Sequence, residues 1–96
     1  MTTILVSRHP AAAEWIRRKG YAVDSMVAHL DPAVVRSGDT VIGTLPVNLA
    51  AEVCARGAVY LHLTLDLPPT ARGLELSTQD MERYGARIER HIIHKA

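Results

Sequence analysis

The chain has 96 residues, 48% of them apolar, a formal net charge of +1 and one cysteine, Cys54. That length makes one domain near the small end of what buries a self-sufficient core, and the apolar share excludes disorder. The near-zero charge excludes a general duplex-DNA binder, one Trp, three Tyr and no Phe leave no stacking platform for single strands, and the lone cysteine excludes an internal disulfide or a cysteine-rich zinc site.

Thr3 to Val6 is an apolar, β-branched run and reads as a buried strand. The polar triplet Ser7-Arg8-His9 follows, and Pro10 opens a helix to Lys19, with Arg17-Arg18-Lys19 in its last turn and Gly20 as its stop. Tyr21-Ala22-Val23 is a short strand candidate. Asp31-Pro32 reads as an N-cap and first residue of a brief helix through Val35 and Arg36, and Gly38-Asp39 as a turn. Thr40 to Gly43 is the next strand, and Thr44-Leu45-Pro46 begins the next helix. Val47, Ala50, Ala51 and Cys54 share one face of that helix, which makes Cys54 a buried structural thiol, and Gly57 ends it.

Ala58 to Leu65 is the longest strand candidate, with Val59, Leu61, Leu63 and Leu65 on one face and Tyr60, His62 and Thr64 on the other. Such alternation is expected of an incompletely covered strand near an edge. Asp66 to Glu75 is irregular, with Pro68-Pro69 and Arg72-Gly73. Ser77 and Asp80 form a capping box for a final helix that carries Met81, Tyr84, Ile88 and Ile92 on one side. Strands alternating with helices predict an α/β fold, a small Rossmann-like, mainly parallel sheet of about four strands. No apolar run approaches the ~18 residues of a membrane span and no signal-peptide pattern opens the chain, so a cytoplasmic protein is expected.

A parallel sheet gathers its strand ends on one edge, where ligands of open α/β sheets bind. Here that edge collects Ser7, Arg8 and His9, then Gly43 and Thr44, then Asn48 in the following first turn, and Thr64 and Asp66 from the fourth strand. A helix N-terminus favours an anion, Arg8 adds a guanidinium fork suited to phosphate, and histidine exchanges a proton near neutral pH. Each residue also has a plainer role: Arg8 as a surface arginine, His9 as the N-cap before Pro10, Thr44 as a helix cap, Asp66 as a strand terminator. Asn48 is a mediocre helix former whose amide suits a phosphate or a base edge. His91 and His94, three apart on the last helix, lack a third ligand, and Arg83, Arg87 and Arg90 read as a charged helix face. No metal and no cofactor is expected, and no Walker, GxGxxG or Ser–His–Asp pattern is present.

Ser7-Arg8-His9-Pro10 with Trp15, then His29-Leu30-Asp31-Pro32, resembles a small group of CRISPR-associated accessory proteins found beside type III systems. The block from Gly38 to Ala50 (GDTVIGTLPVNLA) continues the likeness, as do Leu65-Asp66-Leu67-Pro68, Arg72-Gly73 and Glu75-Leu76-Ser77. One departure is Ala11, where relatives often carry Gly; Ala suits a helix better.

The resemblance implies a role in cyclic oligoadenylate signalling, with residues 1–96 a single domain similar to the CARF sensors, which are Rossmann-like dimers holding the ring across a two-fold axis. It further implies a ring nuclease that cleaves cyclic tetra-adenylate without metal, by attack of a ribose 2′-hydroxyl on its own 3′-phosphate. On chemical grounds the expected catalytic residues are Arg8, His9 and Asn48, with Ser7, Arg8, Gly43, Thr44, Asn48 and Asp66 binding the ligand. Because a symmetric ring is best matched by a two-fold site, a homodimer is expected, with the carboxyl edges of both sheets facing one cleft. The alternatives are a protein that sequesters the cyclic nucleotide uncut, and an accessory subunit that docks proteins through the face of a helix over 78–92.

Overall fold

The computed structural model describes residues 1–71 and 73–96; Arg72, one of the residues carrying the resemblance, lies outside them. Among the described residues eight principal elements follow in order: β1 (Thr3–Val6), α1 (Pro10–Arg18), β2 (Ser25–Val27), β3 (Thr40–Gly43), α2 (Val47–Ala55), β4 (Val59–Thr64), α3 (Thr78–Arg83) and β5 (Arg87–His91). Single 3₁₀ turns at Pro32–Val34 and Pro69–Ala71 join them. The fold is the expected α/β class, with five strands rather than about four, in the order β2-β1-β3-β4-β5. The first four strands are parallel and β5 runs antiparallel to β4.

Strand alternation sends each face of the sheet into its own core. Leu5, Ile42 and Leu63 pack with Ala12, Ala13, Trp15 and Ile16 of α1 and Met81 of α3. Ile4, Val41 and Tyr60 pack on the other face with Ala50 and Val53 of α2 and with Leu30, Val35 and Leu45. β4 lies beside the edge strand and is incompletely covered, as expected: Tyr60 and Leu63, one on each face, are buried at 1% and 7% exposure, and its other four residues are half-buried. The buried side of α2 is rotated from expectation. The helix starts at Val47 after Pro46, Ala50 and Val53 face the sheet, Val47 is 70% exposed, and Cys54 is only half-buried.

Two elements differ from the sequence reading. The second strand is Ser25–Val27, not Tyr21–Val23. Asp24 decides this: its carboxylate accepts from the Thr3 N–H at 2.8 Å and its own N–H donates to the Thr3 carbonyl, which pins Ile4 opposite Ser25. Val23 instead lies against the α1 core.

The final helix is six residues long and gives way to a strand. The Ser77–Asp80 capping box starts it as expected. Gly85, at φ 70°, stops it with a Schellman pair in which the Ala86 N–H donates to the Met81 carbonyl and the Gly85 N–H to that of Glu82. Ile88 then faces Leu63 across β5–β4, while charged neighbours face solvent, as edge strands require. His91 and His94 consequently share no helix, and Arg83, Arg87 and Arg90 no helical face.

On the same side, the Trp15 indole donates to Glu82 at 2.8 Å and Lys19 meets that carboxylate at 2.7 Å, tying α1 to α3. Among the described residues no helix is long and apolar enough to cross a membrane.

Candidate functional site

The chain order changes direction between β1 and β3: β1 leads to β2 on one side, β3 to β4 on the other. In doubly wound sheets the crevice outside that switch point receives the ligand. Register makes the crevice here. Val27, Val6, Gly43 and His62 stand in one row across the four parallel strands. One residue further along each chain come Ala28, Ser7, Thr44 and Leu63, and all four line a cavity of about 340 Å³. Arg8 and His9 from the head of α1 complete its polar rim, and Ala12, Leu65, Leu76 and Met81 its apolar wall. An apolar cavity with a few convergent polar groups is the usual form of a small-ligand site.

The Ser7–His9 segment is held by its own backbone. The Ser7 N–H donates to the Val27 carbonyl at 2.9 Å, the Ser7 hydroxyl oxygen accepts from the His9 N–H at 3.1 Å, and the Ala12 N–H closes on the His9 carbonyl. Ser7 thus keeps its own hydroxyl hydrogen for a ligand. His9 occupies the N-cap position in extended conformation, but its side chain makes no capping bond, which leaves the imidazole exposed on the cavity rim. Arg8 is exposed, donates from Nη2 to His29 Nε2 at 2.8 Å, and pairs with no carboxylate among the described residues. The first turn of α1 carries no acidic residue, so guanidinium and helix dipole present positive charge to the same space.

Thr44 contributes differently. Its hydroxyl donates to the Leu63 carbonyl, so it meets a ligand only as an acceptor, suited to a ribose hydroxyl or a base amino group rather than to phosphate. The turn around it hangs from Tyr60, whose buried hydroxyl oxygen accepts from the Leu45 N–H at 3.0 Å and lies 3.2 Å from the Gly43 carbonyl and 2.7 Å from His62 Nδ1. Burial pushes the Tyr60 pKa up, keeping it a neutral hydroxyl. Gly43 is buried beneath the cavity rather than on its surface. A Cβ there would stand 2.8 Å from the Val6 carbonyl oxygen, so glycine lets β1 and β3 close under Ser7 and Thr44.

Asn48 and Asp66 stand elsewhere. Asn48, exposed in the first turn of α2, lines a separate groove of about 560 Å³ with Val47, Glu52 and the tail residues Ile93, His94 and Lys95. Asp66 forms an ion pair with Arg87 at 3.0 Å, and this contact holds the guanidinium pKa above its ordinary value. The residue that sequence reasoning missed is His29. Its signal was available: a strand ending at Val27 places Ala28 and His29 on the carboxyl edge, but displacing that strand to 21–23 hides them. Among the described residues no three His, Cys, Asp or Glu side chains are grouped to hold a metal; His91 instead meets His62 edge-on, with ring centroids 5.3 Å apart.

A family model described as "Putative CRISPR-associated protein (Cas_VVA1548)" matches residues 4–94. No curated protein and no solved structure matches the chain.

Proposed function

The chain belongs to the CRISPR-associated family Cas_VVA1548, and from that premise we propose that it is a ring nuclease, which binds cyclic tetra-adenylate and cuts it to silence type III antiviral signalling. The observation that carries this reading is the meeting of Ser7, Arg8 and His9 with an apolar wall in one cavity at the switch point of the sheet. The wall suits a purine and the rim a phosphodiester. In the reaction a ribose 2′-oxygen attacks the adjacent phosphorus, the bond from phosphorus to the 5′-oxygen breaks, and a 2′,3′-cyclic phosphate and a 5′-hydroxyl result. The 2′-hydroxyl proton leaves and the 5′-oxygen gains one; His9 is the proton carrier at the rim. Arg8 and the α1 N-terminus stabilise the charge that builds on the phosphoryl oxygens. Because the nucleophile belongs to the substrate, the protein supplies orientation, charge and proton transfer alone.

The cavity, about 340 Å³, lies at the small end of ligand sites, which start near ~300 Å³, and suits one nucleotide rather than four. A symmetric ring calls for a symmetric partner, so the functional unit is a homodimer whose carboxyl edges face one cleft. Incubating the purified protein with cyclic tetra-adenylate and resolving the products tests the reading. Linear products ending in 2′,3′-cyclic phosphate support it. Retention of intact ring replaces it with sequestration, and absence of binding replaces both with a protein-docking role.

A further inference from the structure

We infer that His29 is a positioning residue for Arg8, a neutral acceptor that aims the guanidinium into the cavity without neutralising it. The inference takes its ligand from the ring-nuclease reading but stands on a contact within the protein, the 2.8 Å bond from Arg8 Nη2 to His29 Nε2. Arginine offers five N–H donors, no acceptor, and a charge it does not lose. The bond therefore requires a lone pair on His29 Nε2, with the ring proton on Nδ1 and the imidazole neutral. A carboxylate in this place would orient Arg8 equally well but cancel the positive charge that a phosphodiester seeks. A neutral imidazole leaves that charge and the remaining donors free.

Both partners are fixed by backbone chemistry. The Ser7 N–H to Val27 carbonyl bond sets the ends of β1 and β2 side by side, which brings Arg8 next to the segment 28–29. His29 is held between Ala28 on the cavity wall and the buried Leu30, and the Asp31 carboxylate, accepting from the Ala33 N–H at 3.0 Å, anchors the next turn. Exposed arginines otherwise sample many rotamers, and immobilising such a side chain on binding costs affinity. His29 meets that cost in the free protein.

The test is a double-mutant cycle on cyclic tetra-adenylate affinity at pH 8, with His29→Ala, His29→Gln, Arg8→Ala and the Arg8→Ala/His29→Ala pair. Because both positions are exposed, folding is checked by thermal unfolding of each variant. His29→Ala should weaken binding about three- to tenfold. His29→Gln, which places an amide oxygen near the position of Nε2, should restore it to within about twofold. In the Arg8→Ala background, removing His29 should have no further effect. An equal loss in both backgrounds would mean that His29 touches the ligand by itself, and an unchanged His29→Ala would mean that it orients nothing; either overturns the inference.

Nitrogen-15 shifts of the His29 ring separate this from failure of the ring-nuclease reading, because they need no ligand. An unprotonated Nε2 that loses this tautomer preference in Arg8→Ala supports the pairing even if cyclic tetra-adenylate does not bind. A protonated Nε2 in the native protein refutes it.

Discussion

On the ring-nuclease proposal, replacing His9 by alanine should separate catalysis from folding, and the structure sets the size of the folding effect. His9 sits at the N-cap of α1, where Ser, Thr, Asp or Asn would contribute a side-chain bond, but its imidazole makes none. The two backbone bonds that hold the turn, His9 N–H to the Ser7 hydroxyl and Ala12 N–H to the His9 carbonyl, survive the substitution. The expected stability change is therefore within about 0.5 kcal/mol, a shift in Tm of no more than roughly 2–4 °C for a domain of this size. If His9 is the proton carrier proposed, its loss should lower the chemical step about 10²–10⁴-fold, equivalent to roughly 2.7–5.5 kcal/mol of activation free energy. Binding of the intact ring should change little, since Arg8 and the α1 N-terminus remain. Single-turnover cleavage of cyclic tetra-adenylate by excess protein, alongside thermal unfolding, reads both quantities. Near-native cleavage by a folded His9→Ala protein would refute the assignment of proton transfer to this imidazole. A large fall in Tm would show instead that the side chain is structural.

Four further outcomes are expected. Tyr60→Phe leaves the Leu45 N–H without its buried acceptor and should cost about 1–3 kcal/mol in denaturant unfolding; an unchanged midpoint would show that the turn at Thr44 does not hang from this hydroxyl. The N–H donors of Arg36 and then Thr2 hold the Asp39 carboxyl below its ordinary range, so its contribution is complete above the unfolded value near ~3.9 and is lost as pH falls through the lowered folded value. Urea midpoints between pH 2 and 7 should show that acid limb flattened in Asp39→Asn, and an identical limb would assign it to other groups. Cleavage should persist in EDTA, because the attacking oxygen is the substrate's own; loss with rescue by a divalent ion would mean that the reaction has been misassigned. Light scattering should give a dimer at micromolar concentration, and a monomer with and without cyclic tetra-adenylate would count against a shared cleft.

The parts of the chain governed by short-range chemistry were legible from the residues alone. Pro10 and Gly20 bracket α1, whose last helical residue, Arg18, falls one short of the expected Lys19. The runs Thr3–Val6 and Thr40–Gly43 are strands with the expected ends, and Ser77 with Asp80 begins a helix. Caps, turns and buried apolar runs act within a few residues, so a linear string carries them. The same reasoning placed Ser7, Arg8, His9 and Thr44 on one edge, because parallel strands share a carboxyl end.

What needed tertiary structure was everything set by a neighbour distant in sequence. Arg87–His91 carries one inward residue, Ile88, and becomes a strand only because β4 offers an open edge; its spacing from Met81 and Tyr84 imitates a helix. β2 is pinned by Asp24 reaching Thr3, a contact across 21 residues. Asn48 left the cavity through the rotation of α2 on its core, and Asp66 was taken by Arg87 from the late strand. His29 joined Arg8 only through the pairing of Ser7 with Val27. Local rules say which residues reach the edge of the sheet, but strand pairing and helix rotation decide which of them face one another, since those orientations depend on contacts that no short window of sequence contains.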